Sequence, residues 1–417
     1  MRFAAALSEH PDPVAATKAV VQQVVAPLNG RPCHLAAVFV SSRYRTDWPP
    51  VLRHIRQALG NPLLIGCTGG GVLGGDQELE GVPAVSLAAA SLPDVALHPF
   101  TVTPEELAGG ALSADAWREK TGTTPSDQPV GLLLPEPFSC DVMALVGSLN
   151  TAYPALPLVG GLASGAEASG TASSGRSHGA QQAGEHALFL NEEVRQDGAV
   201  GVFLTGNVRM DTLVAQGCRP IGRPFIVTKA QDQFVLELAG MPATEALRQL
   251  FAALAPEDRR LAQRALFLGV VMREQQAEFR RGDFLIRNLL GLDPATGALA
   301  VGDQLQVGQT VQFQVRDADT SRQDLQQLLA ERRQALTQPP PDGALLFSCL
   351  GRGQALYGEP HVDTRMIRAA LGTMPIAGFF CNGEIGPVGD RCFVHGFTSS
   401  LGLFRPRRVD AAPPPSG

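Results

Sequence analysis

The stretch Leu35-Ala36-Ala37-Val38-Phe39-Val40, then a segment carrying Val51, Leu52, Ile55 and Leu59, then Pro62-Leu63-Leu64-Ile65-Gly66-Cys67 reads as strand, helix, strand. A second copy begins at residues 130–134, continues through Val142, Leu145, Val146 and Leu149, and ends at Pro157-Leu158-Val159-Gly160-Gly161. A third begins at residues 344–348, continues through Val362, Met366 and Leu371, and ends at Pro375-Ile376-Ala377-Gly378-Phe379. Phe39 to Gly66 and Leu133 to Gly160 each span 27 positions, and Phe347 to Gly378 spans 31. Recurrence of this kind points to an internally repeated unit. Each copy predicts a right-handed crossover with its two strands parallel. The Gly-containing turn closing each copy would then open at the carboxyl ends of strands, where open α/β sheets bind ligands.

Outward from these copies, residues 3–7 read as a strand, and Asp12-Pro13 opens a helix as N-cap and first-turn proline, with Val14, Val21, Val25 and Leu28 toward one face. Between the second and third copies the sequence is β-rich. Residues 199–205 and 208–216 predict a hairpin about Gly206-Asn207, and further strands are predicted at 225–228, 233–238, 267–272, 284–290 and 310–315. A helix from Thr244 carries Leu247, Leu250, Phe251 and Leu254, and Ser321-Arg322-Gln323-Asp324 reads as a capping box opening a second one. Residues 163–184 are rich in Gly, Ala and Ser and are expected to form a mobile loop. The fold class expected is α/β: two domains with mixed sheets flanked by helices, at residues 1–220 and 221–405, related by internal duplication, with a flexible tail at 406–417.

The 417 residues carry a net charge of -6 and a pI near 5.8, which argues against a nucleic-acid footprint. Seven cysteines, an odd number with no CxxC pair, argue against a disulfide framework and for a reducing compartment. Residues 1–7 are too short for a signal-peptide apolar core, and no run approaches the ~18 apolar residues of a membrane helix. A cytoplasmic protein without membrane insertion is expected.

Gly69-Gly70-Gly71-Val72-Leu73-Gly74 satisfies GxGxxG formally, but Asp76 to Pro83 does not read as the helix whose N-terminus would hold a phosphate. A flexible loop approached by a ligand is the expectation there. The densest polar cluster follows the strands of the third copy: Ser348-Cys349-Leu350-Gly351-Arg352-Gly353 and Cys381-Asn382-Gly383-Glu384. Adjacent parallel strands would set these turns side by side. Arg352 offers a planar fork for a carboxylate and Glu384 an acceptor for an ammonium, together suiting an amino-acid-like zwitterion. In the structural alternative Arg352 and Glu384 pair with each other. The ligand-binding set is therefore Arg352, Glu384, Cys349, Asn382 and Gly383, with Cys67, Thr68 and Gly69 as the matching site in the first domain. Arg352→Ala is expected to remove ligand binding and leave the fold intact. A nucleophilic cysteine assisted by His395 and Asn382 would need a geometry that no local motif enforces, so catalytic residues are set at none. Cys392 and His395 lack a second ligand pair for a metal.

Longer stretches resemble the FIST family. Gly198 to Leu204, Gln216-Gly217-Cys218-Arg219-Pro220-Ile221-Gly222 and residues 224–228 look like the junction of FIST N-terminal and C-terminal domains, and Glu237 to Pro242 looks like the start of the latter. Arg281 to Asn288 and Gly308 to Asp317 are similar to its middle, and Phe347 to Gly353 and Gly378 to Pro387 to its end. Ile65 to Gly71 resembles the turn in the N-terminal domain. The resemblance implies a bacterial sensory protein that binds a small molecule such as an amino acid and acts in signal transduction. Some relatives are described as haem-binding nitric oxide sensors; no cofactor is expected here, and haem stands as the alternative. The two domains use up the length, so output is expected through a signalling protein in trans. The family carries over no catalytic residues, and a Cys-dependent enzyme or an interaction scaffold stands as the remaining alternative.

Overall fold

The computed structural model describes residues 1–44, 48–165, 186–276, 278–335 and 340–407. Most of the loop expected at 163–184, and the expected tail beyond Arg407, lie outside the described residues. The chain forms two compact units, one of Met1–Val214, Leu328–Val394 and the described residues from Thr398 on, the other of Ala215–Gln327 and His395–Phe397.

The first unit contains three modules with one strand plan. Module one is β1 (Arg2–Ser8), α1 (Pro13–Leu28), β2 (Leu35–Ser41), α2 (Trp48–Ala58), β3 (Leu63–Gly69), a hairpin of β4 (Gly71–Gly74) and β5 (Gln77–Glu80), and β6 (Val85–Ser91). Module two is β7 (Val95–Val102), α3 (Pro104–Ala108), α4 (Ala114–Thr121), β8 (Val130–Pro135), α5 (Val142–Ala152), β9 (Leu158–Gly161), the hairpin of β10 (Leu188–Leu190) and β11 (Glu193–Arg195), and β12 (Ala199–Gly206). Module three opens with β13 (Arg209–Ala215). In chain order the second unit follows, with β14 (Cys218–Pro220), β15 (Phe225–Gln231), β16 (Phe234–Leu238), β17 (Met241–Pro242), α6 (Ala243–Ala253), α7 (Pro256–Arg264), β18 (Leu266–Val271), β19 (Phe284–Asp293), β20 (Ala298–Val301) and β21 (Thr310–Arg316). Helix α8 (Ala318–Ala335) runs across the division between the units, and module three then resumes with β22 (Gly343–Cys349), α9 (Gly353–Tyr357), α10 (Val362–Leu371), β23 (Ile376–Cys381), the hairpin of β24 (Glu384–Val388) and β25 (Arg391–His395), and β26 (Ser399–Arg405).

Among the described residues three sheets of six strands result, ordered β1-β6-β2-β3-β10-β11, β7-β12-β8-β9-β24-β25 and β13-β26-β22-β23-β4-β5. In each, the two strands of the crossover are parallel neighbours and the strand beside the first is antiparallel. In all three crossovers read from sequence the two strands are therefore parallel, as expected, and the sheets are mixed. Each hairpin leaves its own module: β4–β5 completes the third sheet, β10–β11 the first and β24–β25 the second. This cyclic exchange ties the modules together. Each guest hairpin is also held by a helix of its host: Glu192 by Arg53 and Arg56 of α2 (2.9 and 3.1 Å), the Cys392 backbone by Asn150 of α5 (2.8 Å), and Glu78 by the Thr364 amide of α10 (2.8 Å).

The inner faces share one apolar cluster with residues from all three sheets, including Phe39, Ile65, Leu132, Val159, Phe347 and Phe379. Phe39 stacks on Phe379 and meets Phe347 edge-on. Helices α1 and α2 cover the outside of the first sheet, and α4 and α5 that of the second.

The glycines used as spacing marks are not turn residues. Gly66, Gly160 and Gly378 lie within β3, β9 and β23, opposite Val38, Leu133 and Leu346. A Cβ on them would come 1.9, 1.8 and 1.8 Å from those partners' carbonyl oxygens, so only glycine lets the parallel strands approach this closely.

Four local expectations are corrected. Strands β12 and β13 make no hairpin: both edges of β12 are taken by β7 and β8, and β13 pairs β26 in another sheet. The glycine run at 69–74 is no flexible loop, since β4 is locked between β23 and β5. Helix α8 begins a turn before Ser321, with Asp317 accepting from the Thr320 amide (2.7 Å). On α1 the buried face is Ala16, Val20, Val21, Val24 and Leu28, while Val14 and Val25 face solvent.

The second unit is all antiparallel in its described pairings. Its strands run β21-β15-β16-β20-β19-β18 and β18 pairs back to β21, closing a barrel. Closure removes free edges, and Val227, Val235, Leu268, Leu299, Val311 and Phe313 fill the core with α6 and α7 packed on it.

Candidate functional site

Beyond β22 the chain turns sharply, with the Arg352 amide donating to the Cys349 carbonyl (2.8 Å). Gly353 follows at φ +62°, and an ideal Cβ there would lie 2.2 Å from a Glu80 carboxylate oxygen, so the turn needs glycine both for conformation and for space. Arg352 is fully buried. Its Nε and one Nη donate to the two carboxylate oxygens of Asp363 (2.7 and 2.9 Å), and the same Nη donates to the Tyr357 hydroxyl (2.6 Å). Tyr357 donates in turn to Asp363 (2.8 Å), and Ser348 approaches the same carboxylate (3.3 Å). Burial works against the Asp363 charge, but Arg352 and these hydrogen bonds outweigh it and hold the carboxyl below its usual range. Arg352 thus pairs with Asp363 and makes no hydrogen bond to Glu384; the carboxylate its fork was expected to take from a ligand comes from the protein. Its remaining nitrogen, Nη1, is buried without a hydrogen-bond partner.

The guest hairpin supplies two more carboxylates. Glu78 accepts from the Thr364 amide in the first turn of α10, while its own amide donates to His361 Nδ1 (2.9 Å). Glu80 accepts from the Gln354 amide at the start of α9 (2.8 Å). Both sit where helix N-termini favour negative charge. Burial, then the nearby Asp363, push Glu78 up to about 7, and its Oε2 has no hydrogen-bond partner.

Glu384, the first residue of β24, is fully buried. One oxygen accepts from the Thr398 amide and hydroxyl (2.9 and 2.6 Å), and the other from the Cys381 thiol (3.4 Å). Burial raises its carboxyl to about 7, against the pull of Thr398, Cys381 and Arg352. Gly383 precedes it with φ 150°.

The turn at 67–71, expected to form a separate site, joins this one through Ser164. The Ser164 hydroxyl donates to the Phe380 carbonyl (2.5 Å) and accepts from the Gly70 amide (2.8 Å), and its amide donates to the Thr68 carbonyl (3.1 Å). Asn382 and Gly383 bond through their backbones to Leu162. The carboxyl ends of β3, β9, β22 and β23 therefore meet in one place. Half-buried Gly70, Gly165, Cys349, Leu350 and Gly351 and the exposed Asn382 form its outer rim. Gly69 ends β3. Cys67 does not belong to the polar group: it is buried in the central apolar cluster, and burial pushes its thiol up.

Sequence reasoning missed Asp363, Tyr357, Glu78, Glu80, Ser164 and Thr398. One legible signal was Glu78-Leu79-Glu80, whose alternation on a strand sets both carboxylates on one face. Another buried pair was also missed: His186 Nδ1 lies 2.9 Å from Glu136, just past the end of β8, and stacks on Phe138. A cavity of about 490 Å3 lined by residues including Asp94, Asp127, Gln128 and Arg407 lies at the amino end of β8, away from these turns. Among the described residues no three His, Cys, Asp or Glu side chains are arranged to hold a metal ion, and no helix is long and apolar enough to cross a membrane.

The fold is that of an α/β protein with three mixed sheets in one unit and an antiparallel barrel as the second unit. The chain belongs to the FIST family: the FIST N domain matches residues 34–241 and the FIST C domain residues 243–387. It is 40% identical over 369 residues to an uncharacterized protein of Mycobacterium tuberculosis, covering 88% of this chain and 90% of the relative. It is 38% identical to an uncharacterized protein of Mycobacterium bovis over the same shares. FIST domains mark a sensory, signalling-associated family.

Proposed function

We propose that this chain is a sensory protein that binds a small, amino-acid-like molecule at the turns ending β3, β9, β22 and β23, and passes the signal to a separate protein in the cytoplasm. The observation carrying this reading is the unpartnered Nη1 of Arg352, a buried cationic donor in a group that also contains Glu384. An uncompensated buried donor costs about 1–3 kcal/mol or more, and a ligand oxygen accepting from Nη1 would remove that cost. Glu384 provides the negative counterpart for an ammonium group. Cys349, Asn382, Gly383, Thr68 and Gly69 border the group through side chain or backbone, with Cys67 beneath them.

A thermal-shift screen against the amino acids and common metabolites tests this. Ligand at ~100 times its dissociation constant is expected to add about 2.7 kcal/mol. Asn382→Ala, which alters an exposed side chain, should reduce that gain and leave the unliganded midpoint in place. A screen in which no small molecule raises the midpoint would sink the reading.

A further inference from the structure

We propose that Cys349 and Cys381 form a redox-reactive dithiol in which a hydroperoxide oxidises Cys349 and Cys381 resolves it to an intramolecular disulfide. The two residues end adjacent parallel strands and are register partners. The ladder continues past them, with the Leu350 amide donating to the Cys381 carbonyl (3.0 Å). Leu345 and Phe347 on β22, and Ala377, Phe379 and Cys381 on β23, all face the central apolar cluster, so alternation places Cys349 on that face too, at its rim. Neighbouring strands lie about 4.8 Å apart, within the roughly 4.4–6.8 Å between Cα atoms that a disulfide spans.

The surroundings divide the labour. Of the seven cysteines, none in a disulfide, six are buried and Cys349 alone is partly exposed. The Cys349 sulfur accepts from the Gly351 amide (3.5 Å), and the Cys349 carbonyl from the Arg352 amide (2.8 Å), so the turn holds this thiol at the rim. Cys381 is buried beside Glu384, and burial followed by that carboxyl keeps it a thiol. The Cys381 sulfur lies within hydrogen-bond reach of the Ser348 carbonyl (3.3 Å) and of a Glu384 carboxylate oxygen (3.4 Å), and Glu384 is the base for its proton.

In the first step the Cys349 sulfur attacks a peroxide oxygen. The O–O bond breaks, a sulfenic acid forms, and the departing oxygen takes the thiol proton as water or alcohol. In the second step the Cys381 sulfur attacks the Cys349 sulfur and its proton passes to Glu384. The sulfenic hydroxide leaves and takes up that proton as water. Two thiols and one hydroperoxide give a disulfide, an alcohol (or water) and water. The step requires no bound ligand, although Cys349 and Glu384 also belong to the group proposed to bind one.

The test uses the full, reduced chain. Brief iodoacetamide labelling read by peptide mass should modify Cys349 at least ~10-fold faster than the other cysteines. One equivalent of hydrogen peroxide should then give a Cys349–Cys381 linked peptide that dithiothreitol reverses. In Cys381→Ser the same treatment should leave a dimedone-trapped sulfenic acid on Cys349. Labelling of Cys349 no faster than the buried thiols, or both thiols free after peroxide in the unmodified chain, would overturn the proposal without bearing on ligand binding.

Discussion

Asp363 and Glu384 are both buried, both belong to the group at the ends of β22 and β23, and are pushed in opposite directions. Asp363 receives both prongs of a guanidinium and a phenol, all aimed at the charged form. Glu384 receives a threonine and a thiol, with Arg352 acting only at a distance. Burial sets the cost of ionising either one, and the geometry of the nearest cation decides whether that cost is met. The Asp363 contribution to stability is present above its unfolded value of 3.8 and is lost as pH falls through its lower folded value. Glu384 behaves in the opposite sense: its preference for the protonated form favours folding at acid pH, and stability falls as pH rises from 4.5 to about 7.

The strongest way to break this contrast is Arg352→Ala. Stripped of its cation, Asp363 is a buried, uncompensated charge, and a loss of about 3–5 kcal/mol is expected in a denaturant titration. Such a loss would run against the expectation that the variant keeps its fold. A companion, Arg352→Met with Asp363→Leu, should recover most of the loss, because a well-packed apolar pair can stand in for a buried ion pair. Failure of the double variant to recover would mean that Arg352 supports more than Asp363.

Glu384→Gln sharpens the comparison from the other side. A rise from 4.5 to about 7 corresponds to on the order of 3 kcal/mol of pH-dependent stability. The variant should lose that slope between those pH values and become progressively more stable than the parent as pH rises. Parallel stability curves for parent and variant would contradict it. Glu78→Gln should flatten the same pH range in the same sense, since Glu78 is also pushed up to about 7. The smallest effect is expected at the hairpin in the first sheet: Glu192→Ala breaks partly exposed ion pairs to Arg53 and Arg56 and should cost no more than about 1 kcal/mol.

The crossovers were legible because each is local. Continuous apolar runs, a helix between them and a glycine near the end of the second strand can be read within about thirty residues, and all three form parallel pairs. The turns after β22 and β23 were legible for the same reason. The Glu78 and Glu80 carboxylates of this site were not, because the guest hairpin comes from elsewhere in the chain: the Glu78 amide meets His361 across 283 positions, whereas Asp363 lies only 11 positions from Arg352. The misread hairpin at Gly206-Asn207 failed in the opposite way. A favourable turn dipeptide suggested pairing between neighbours, but both edges of β12 were already taken by β7 and β8.

By itself the sequence determined many of the secondary elements, the three crossovers and the family, because apolar periodicity, turn chemistry and short motifs act between residues near in the chain. Only the tertiary structure decided that three modules trade hairpins, that Gly66, Gly160 and Gly378 serve close strand packing, and that Glu78 and Glu80 join the turns around Arg352. Those outcomes depend on which edges remain open and which buried charges lie within reach once distant segments have packed, and neither is written in any local stretch of the chain.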